Sequence, residues 1–78
     1  MITITAHEVA EFNRMARAAF KEGHHRIGVQ FELVTRHYSA GSEMPADVFD
    51  RYKDAYRAWL VFNDWTKAEL IAKRPAGC

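Results

Sequence analysis

Apolar residues recur every three or four positions along two long segments of the chain, and this spacing constrains the fold more than any other feature. In the first segment these positions share one helical azimuth, and they are Val9, Phe12, Ala16, Ala19, Phe20, Gly23, Ile27, Phe31, Val34 and Tyr38. A stripe roughly 120° wide with this spacing is typical of an amphipathic helix. Because the phase survives Gly23 and Gly28, we predict one helix over about residues 6–38, with Gly23–Gly28 as the place for any kink or break.

The two glycines occupy different sides of this predicted helix. Gly23 lies on the apolar face, where the missing side chain would let a partner helix approach closely. Gly28 lies off that face and has no such packing role, so it is the better candidate for a kink.

The first helix has a strong start signal. Thr5 followed by Glu8 has the spacing of a capping box, in which each side chain accepts from the other residue's backbone N–H. Ile4 and Val9 fall at the two positions of a hydrophobic staple. Residues 1–4 alternate like a strand, but with no evident partner strand we interpret them as an apolar lead-in packed on the helix.

A cluster of turn-forming residues predicts a loop over residues 39–45. Pro45 suits the first turn of a second helix, and Asp47 complements the positive end of its dipole. The inner apolar stripe of this helix is Val48, Phe49, Tyr52, Ala55, Tyr56, Trp59, Phe62, Asn63, Thr66 and Leu70.

The second helix has a clear stop signal. Lys73 and Arg74 complement a helix C-terminus, and Pro75 prevents continuation. We therefore predict a helix over about residues 46–74 and a short tail over residues 75–78.

The outer face of the second helix is polar in its first half and apolar in its second half. A second stripe, about 150° around from the first, consists of Ala58, Val61, Trp65, Ala68 and Ala72. A helix that is apolar on nearly every side is expected to be buried on every side. A two-helix hairpin cannot cover both stripes, so we predict that this stripe is an oligomer or partner interface.

The fold class expected from these patterns is all-α, a single domain over residues 1–78. We predict an antiparallel hairpin of two long helices that self-associates as a homodimer or larger, pairing into a four-helix bundle. Two alternatives stay open, a monomeric three-helix bundle broken at Gly23 and a hairpin whose outer stripe binds a foreign protein.

Composition limits the function classes. The chain carries 11 Lys and Arg against 10 Asp and Glu, which argues against a general nucleic-acid binder or a binder of anionic membranes. Its one cysteine, Cys78, excludes an internal disulfide framework and a multi-cysteine metal site. No leader pattern and no apolar run of about 18 residues are present, so we expect a cytoplasmic protein with no membrane partner.

No catalytic or metal-binding arrangement stands out. The adjacent His24 and His25 would point about 100° apart on a helix, and His7 and His37 are far from them in sequence. Cys78 is the last residue, without a nearby histidine, and no nucleophile motif is present. We therefore expect no catalytic residue, no metal and no cofactor.

One row of positively charged residues is the most distinct electrostatic feature of the sequence. Arg14, Arg17, Lys21 and His25 follow helical steps away from the apolar stripe, and we predict them as a candidate strip for an anionic partner. A strip used for nucleic acid would give binding that weakens steeply with salt.

These observations favour a binding role over catalysis. The preferred hypothesis is a non-catalytic regulatory protein that binds and modulates or inhibits a larger protein, of the kind encoded by phages or mobile elements, for example an inhibitor of a host defence system. That comparison rests on size and composition alone. The alternative is a nucleotide- or nucleic-acid-binding regulator that uses the basic strip, and a third hypothesis is a small enzyme or metal protein assembled across subunits.

Overall fold

The computed structural model describes residues 1–73 and has the all-α character expected from the sequence. The predicted tail over residues 75–78, with Arg74 and Cys78, lies outside the described residues. The elements in chain order are β1 (Ile2–Thr3), α1 (Ala6–Lys21), α2 (His25–His37), β2 (Glu43–Met44), α3 (Ala46–Phe62) and α4 (Trp65–Ala72). Four helices therefore stand where two long ones were predicted.

The predicted continuous helix over residues 6–38 is wrong, and the alternative of a break near Gly23 is confirmed. Helix α1 ends at Lys21, and Gly23 has a φ of +88°. Within residues 1–73, no atom beyond Gly23 and its two chain neighbours lies within 4 Å of the place that a Cβ on Gly23 would occupy. Its role is therefore conformational, because a left-handed φ is readily accessible only to glycine.

Gly28, predicted as the kink, instead leaves room for the ring of Phe20 where α2 packs on α1. It is buried inside α2, and a Cβ there would lie 3.0 Å from the ring of Phe20. The hydroxyl of Thr35 donates to Asn13 Oδ1 at 3.0 Å, which links the other end of α2 back to α1. The two helices thus form an antiparallel hairpin, and the two glycines have exchanged their predicted roles.

The predicted helix over residues 46–74 is also broken. Asn63 adopts a left-handed conformation with φ 51° and ψ 36°, and its N–H donates to the carbonyl of Trp59 at 2.8 Å. Asp64 then caps α4, since its carboxylate accepts from the N–H of Lys67 at 2.9 Å. Asparagine tolerates this backbone region better than most residues, which explains why the helix stops there.

The N-terminal residues form a strand, so the expectation of an unpaired lead-in is wrong. Ile2 pairs with Met44 and Thr3 with Glu43 in an antiparallel arrangement. Ile4 continues the contact, because its N–H donates to the carbonyl of Ser42 at 2.9 Å. This pairing fixes the loop before α3 against the start of α1.

The predicted capping box at the start of α1 is confirmed. The N–H of Thr5 donates to Glu8 Oε1 at 3.0 Å, and the N–H of Glu8 donates to Thr5 Oγ1 at 3.2 Å. Ile4 is fully buried, and Val9 packs against the same core, as a hydrophobic staple requires.

An aromatic cluster joins the two helical hairpins. Phe12 of α1 and Phe31 of α2 meet edge to face with ring centroids 5.5 Å apart. From α3, Tyr52 lies 5.1 Å from Phe31 and Tyr56 lies 6.3 Å from Phe12. Such contacts add about 0.5–1.5 kcal/mol each to the burial of the rings, so this cluster is the centre of the core.

Candidate protein-binding surfaces

The chain itself covers most of the outer stripe that was predicted to need a partner. Four of its five residues are buried within the described chain: Ala58, Trp65, Ala68 and Ala72. Only Val61 is exposed, with 65% of its surface accessible. The break at Asn63 turns α4 so that its apolar side faces the rest of the chain. The apolar excess of this segment therefore does not by itself require a second protein.

Trp65 is covered by the connection between α1 and α2. The imidazole of His24 stacks on the indole at a centroid distance of 4.8 Å and an interplanar angle of 20°. Trp59 lies on another side, with its ring centroid 5.6 Å away. The indole N–H donates to Glu22 Oε1 at 3.4 Å, so the polar atom of this buried side chain also has a partner.

The last turn of α3 exposes three consecutive large apolar side chains, which we name the corner patch. Its residues are Leu60, Val61 and Phe62, with exposed fractions of 54%, 65% and 68%. Lys67 lies at its edge, its Nζ 5.4 Å from the centroid of the Phe62 ring. The predicted inner stripe is wrong beyond Trp59, since Phe62, Thr66 and Leu70 face solvent rather than the first hairpin.

The predicted basic strip is shorter than expected. Arg14, Arg17 and Lys21 are exposed along α1, and within residues 1–73 none of them forms an ion pair. His25 does not continue the row, because a turn separates it from α1 and its ring packs 5.9 Å from that of Phe20. Arg14 and Arg17 border a shallow depression of about 340 Å³.

The histidines and carboxylates of the described chain do not gather into a metal-binding group of three or more. His24 and His25 contact the aromatic rings of Trp65 and Phe20, while His37 lies against Tyr38 at 4.6 Å. The structure thus gives these histidines packing contacts rather than a shared centre.

Burial shifts two tyrosines away from acid–base use near neutral pH. Burial raises the pKa of Tyr52 above its ordinary value, and the nearby Arg51 guanidinium offsets part of that increase. Burial also raises the pKa of Tyr56, with a further increase from the carboxylate of Glu11. Both phenols are therefore neutral over the physiological range and act as packing groups.

No helix of the described chain is long and apolar enough to cross a membrane. Comparison of the sequence with models of known protein families, with curated proteins and with solved structures finds no match.

Proposed function

We propose that this chain is a non-catalytic regulatory protein that binds a larger protein, with the corner patch as one of its contacts. The observation that carries the proposal is the exposure of three consecutive large apolar residues, Leu60, Val61 and Phe62, around the end of α3. Large apolar side chains scattered singly on a surface need no explanation, but adjacent ones mark interaction sites.

The size of the corner patch favours a larger partner over a second copy of the chain. Three side chains of this exposure offer on the order of 300 Å² of apolar surface, whereas a stable interface buries about 800 Å² per partner. Trp65 and Ala68 are already covered inside the chain, so they cannot contribute to a symmetric dimer contact. The patch suits the apolar centre of a wider interface whose rim is polar.

The test compares proteins captured by three immobilised forms of the chain from a lysate of the cells that make it. Val61→Asp places a charge in the corner patch, and Thr66→Asp places the same charge on an exposed position of α4. We expect the wild type and Thr66→Asp to retain the same protein and Val61→Asp to lose it. Retention by all three forms would contradict the proposal.

Light scattering on a sizing column distinguishes a homodimer from a monomer that binds a larger protein. We expect a monomer at micromolar concentration, because the corner patch alone is too small for a stable dimer. A dimer that Val61→Asp dissociates would assign the corner patch to a second copy of the chain.

A second candidate function is anion binding by Arg14, Arg17 and Lys21. The observation that favours it is that these cations are exposed and form no ion pair with any residue of the described chain, and two of them border one depression. A labelled DNA duplex should then bind with an affinity that falls steeply with salt and is lost in Arg17→Glu. Arg57→Glu, which changes an exposed cation of α3, is the matched control.

A further inference from the structure

A shallow groove, the α2 groove, runs along one flank of α2 where this helix meets α3 and the end of α4. It consists of two depressions of about 310 and 390 Å³ that share Gln30. The α2 residues on this flank follow helical steps of four, three and four, and they are Arg26, Gln30, Leu33 and His37. The opposite side consists of Val48, Arg51 and Tyr52 from α3, together with Lys73 after α4.

Two of the apolar side chains that line the α2 groove lie outside the core. Leu33 keeps 55% of its surface exposed and Val29 keeps 46%, one turn apart on the same helix. Val48 and Tyr52 continue the apolar lining on the α3 side. A ligand that covers these side chains gains about 25 cal/mol of binding free energy per Å² of apolar surface removed from water.

The charged groups that line the α2 groove are all of one sign. Arg26 and Lys73 border one depression, Arg51 borders the other, and His25 and His37 add two imidazoles. Among the described residues, no Asp or Glu lines either depression. Glu69 offsets part of this charge at one end, since its carboxylate lies 3.1 Å from Lys73 Nζ. Because the whole chain carries a formal charge of only +1, the groove concentrates positive charge locally.

The walls of the α2 groove favour a helical occupant. Its sides are helices, whose backbone groups are already bonded internally, so an extended peptide would find few partners for its own N–H and C=O groups. An α-helix arrives with those groups paired and presents apolar side chains along one face. From Arg26 to His37 the groove is about 16 Å long, which matches three helical turns.

We propose that the α2 groove binds an acidic amphipathic helix of a partner protein. Its apolar side chains cover Leu33 and Val29, and its carboxylates pair with Arg26 and Lys73 at the edge of the groove. A single-stranded nucleic acid would also satisfy the charge, but it stacks its bases on exposed aromatic rings. In this groove the most exposed apolar side chains are the aliphatic Leu33 and Val29, whereas Tyr52 is buried. The inference uses none of the corner-patch residues, so it stands or fails independently of the function proposed above.

The test is selection from a displayed library of random peptides of about 16 residues, long enough for a helix that spans the groove. The wild-type chain is the bait. We expect the selected pool to be enriched in Glu and Asp at positions flanking apolar residues spaced by three and four. A pool without acidic enrichment, or no selected peptide at all, would overturn the proposal.

Two exposed leucines provide matched variants for the selected peptides. Leu33→Ser changes the α2 groove, and Leu70→Ser changes a leucine of similar exposure on α4. We expect Leu33→Ser to weaken binding about tenfold or more, as for a central interface residue, and Leu70→Ser to leave it unchanged. Circular dichroism confirms that both variants fold. Equal binding to the two variants would contradict the assignment of the groove.

The same assay tests the role of charge and whether the ligand is a peptide or a nucleic acid. Arg26→Glu should weaken binding of the acidic peptides, whereas Arg36→Glu, on another face of α2, should not. A labelled single-stranded DNA of about 12 nucleotides is the competing probe. Binding of this DNA that exceeds peptide binding and is lost in Leu33→Ser would assign the groove to nucleic acid and overturn the proposal. Val61→Asp should bind the peptides normally, which separates this outcome from the test of the corner patch.

Discussion

The imidazole of His24 lies flat on the indole of Trp65, with ring centroids 4.8 Å apart. The two residues belong to the two places where the predicted long helices break, since His24 immediately precedes α2 and Trp65 begins α4. The turn before α2 therefore provides His24, and this residue covers Trp65, which the turn before α4 directs into the core. This contact explains why the outer apolar stripe of the predicted second helix, which predicts a partner, is largely buried within one chain.

The first prediction concerns this contact. Trp65→Ala should lower the free energy of unfolding by about 3–5 kcal/mol, because it removes a buried aromatic side chain and leaves a cavity. A domain of this size has a total stability of roughly 4–12 kcal/mol, so the variant should lose a large share of it. His24→Ala removes only the stacking ring and should cost about 1 kcal/mol. Urea unfolding followed by circular dichroism measures both changes.

His37→Ala is the control for the first prediction, since His37 contacts an aromatic ring without covering a buried one. Its free energy of unfolding should change by less than about 0.5 kcal/mol. If Trp65→Ala and the wild type unfold at the same urea concentration, the packing of α4 against the first hairpin does not stabilise the fold.

The first break could not be inferred from periodicity, because it leaves the apolar spacing intact. Ala19 in α1 and Ile27 in α2 are eight residues apart, close to two helical turns, so a three-residue turn between them does not disturb the stripe. The available signal was local. Lys21 followed by Gly23 resembles the end of a helix, with a cation in the last turn and a glycine just beyond it.

The second break leaves a clearer trace in the sequence, although in one continuous helix this trace predicts a second interface. An apolar stripe that continues on another face of the helix is also the pattern of two helices joined by a tight turn, each with its own buried face. Asn63 and Asp64 mark that turn, one as a left-handed residue and the other as an N-cap. The capping box at Thr5 was predictable because its signal lies within four residues.

The second prediction tests the turn at Asn63. Asn63→Gly should leave the free energy of unfolding within a few tenths of a kcal/mol of the wild type or increase it, because glycine adopts φ near 51° without strain. Asn63→Ala should cost about 1 kcal/mol or more, since a Cβ without a polar group disfavours this region. Thermal unfolding of both variants, with Thr66→Ala as an exposed control, measures the difference. Equal stability of the alanine and glycine variants would exclude a left-handed residue here.

The third prediction separates the two glycines. Gly28→Val should lower the free energy of unfolding by about 1–3 kcal/mol, because its Cβ would lie 3.0 Å from Phe20. Gly23→Ala should cost about 1 kcal/mol through its left-handed φ alone, since no neighbour is close. In a Phe20→Ala background, Gly28→Val should cost less free energy than it does in the wild type. Gly23→Ala should cost the same in both backgrounds. Chemical denaturation measures these costs. A smaller cost in the Phe20→Ala background at both glycines would contradict the distinct roles of Gly23 and Gly28.

The candidate surfaces were less accessible to sequence reasoning than the fold. The α2 groove combines α2, α3 and the end of α4, and no pattern in the sequence places Leu33 beside Val48. Leu60 and Phe62 were expected near the core or on a wholly buried stretch, and only the break at Asn63 leaves them exposed. Binding surfaces of this kind depend on which side chains the core leaves out, and that follows only once the packing is known.

The fourth prediction concerns alkaline pH. Burial raises the pKa of Tyr52 and Tyr56 above the value of about 10 that they have when unfolded. Above that pH the unfolded chain releases phenolic protons that the folded chain keeps, so the free energy of unfolding falls as pH rises from about 10 through the raised pKa. Each tyrosine contributes at most about 1.4 kcal/mol per pH unit to the slope, and neither contributes well below pH 10. Urea unfolding from about pH 8 to 11 measures the slope, and Tyr52→Phe should reduce the loss. An unchanged slope in Tyr52→Phe would show that this phenol ionises equally in both states.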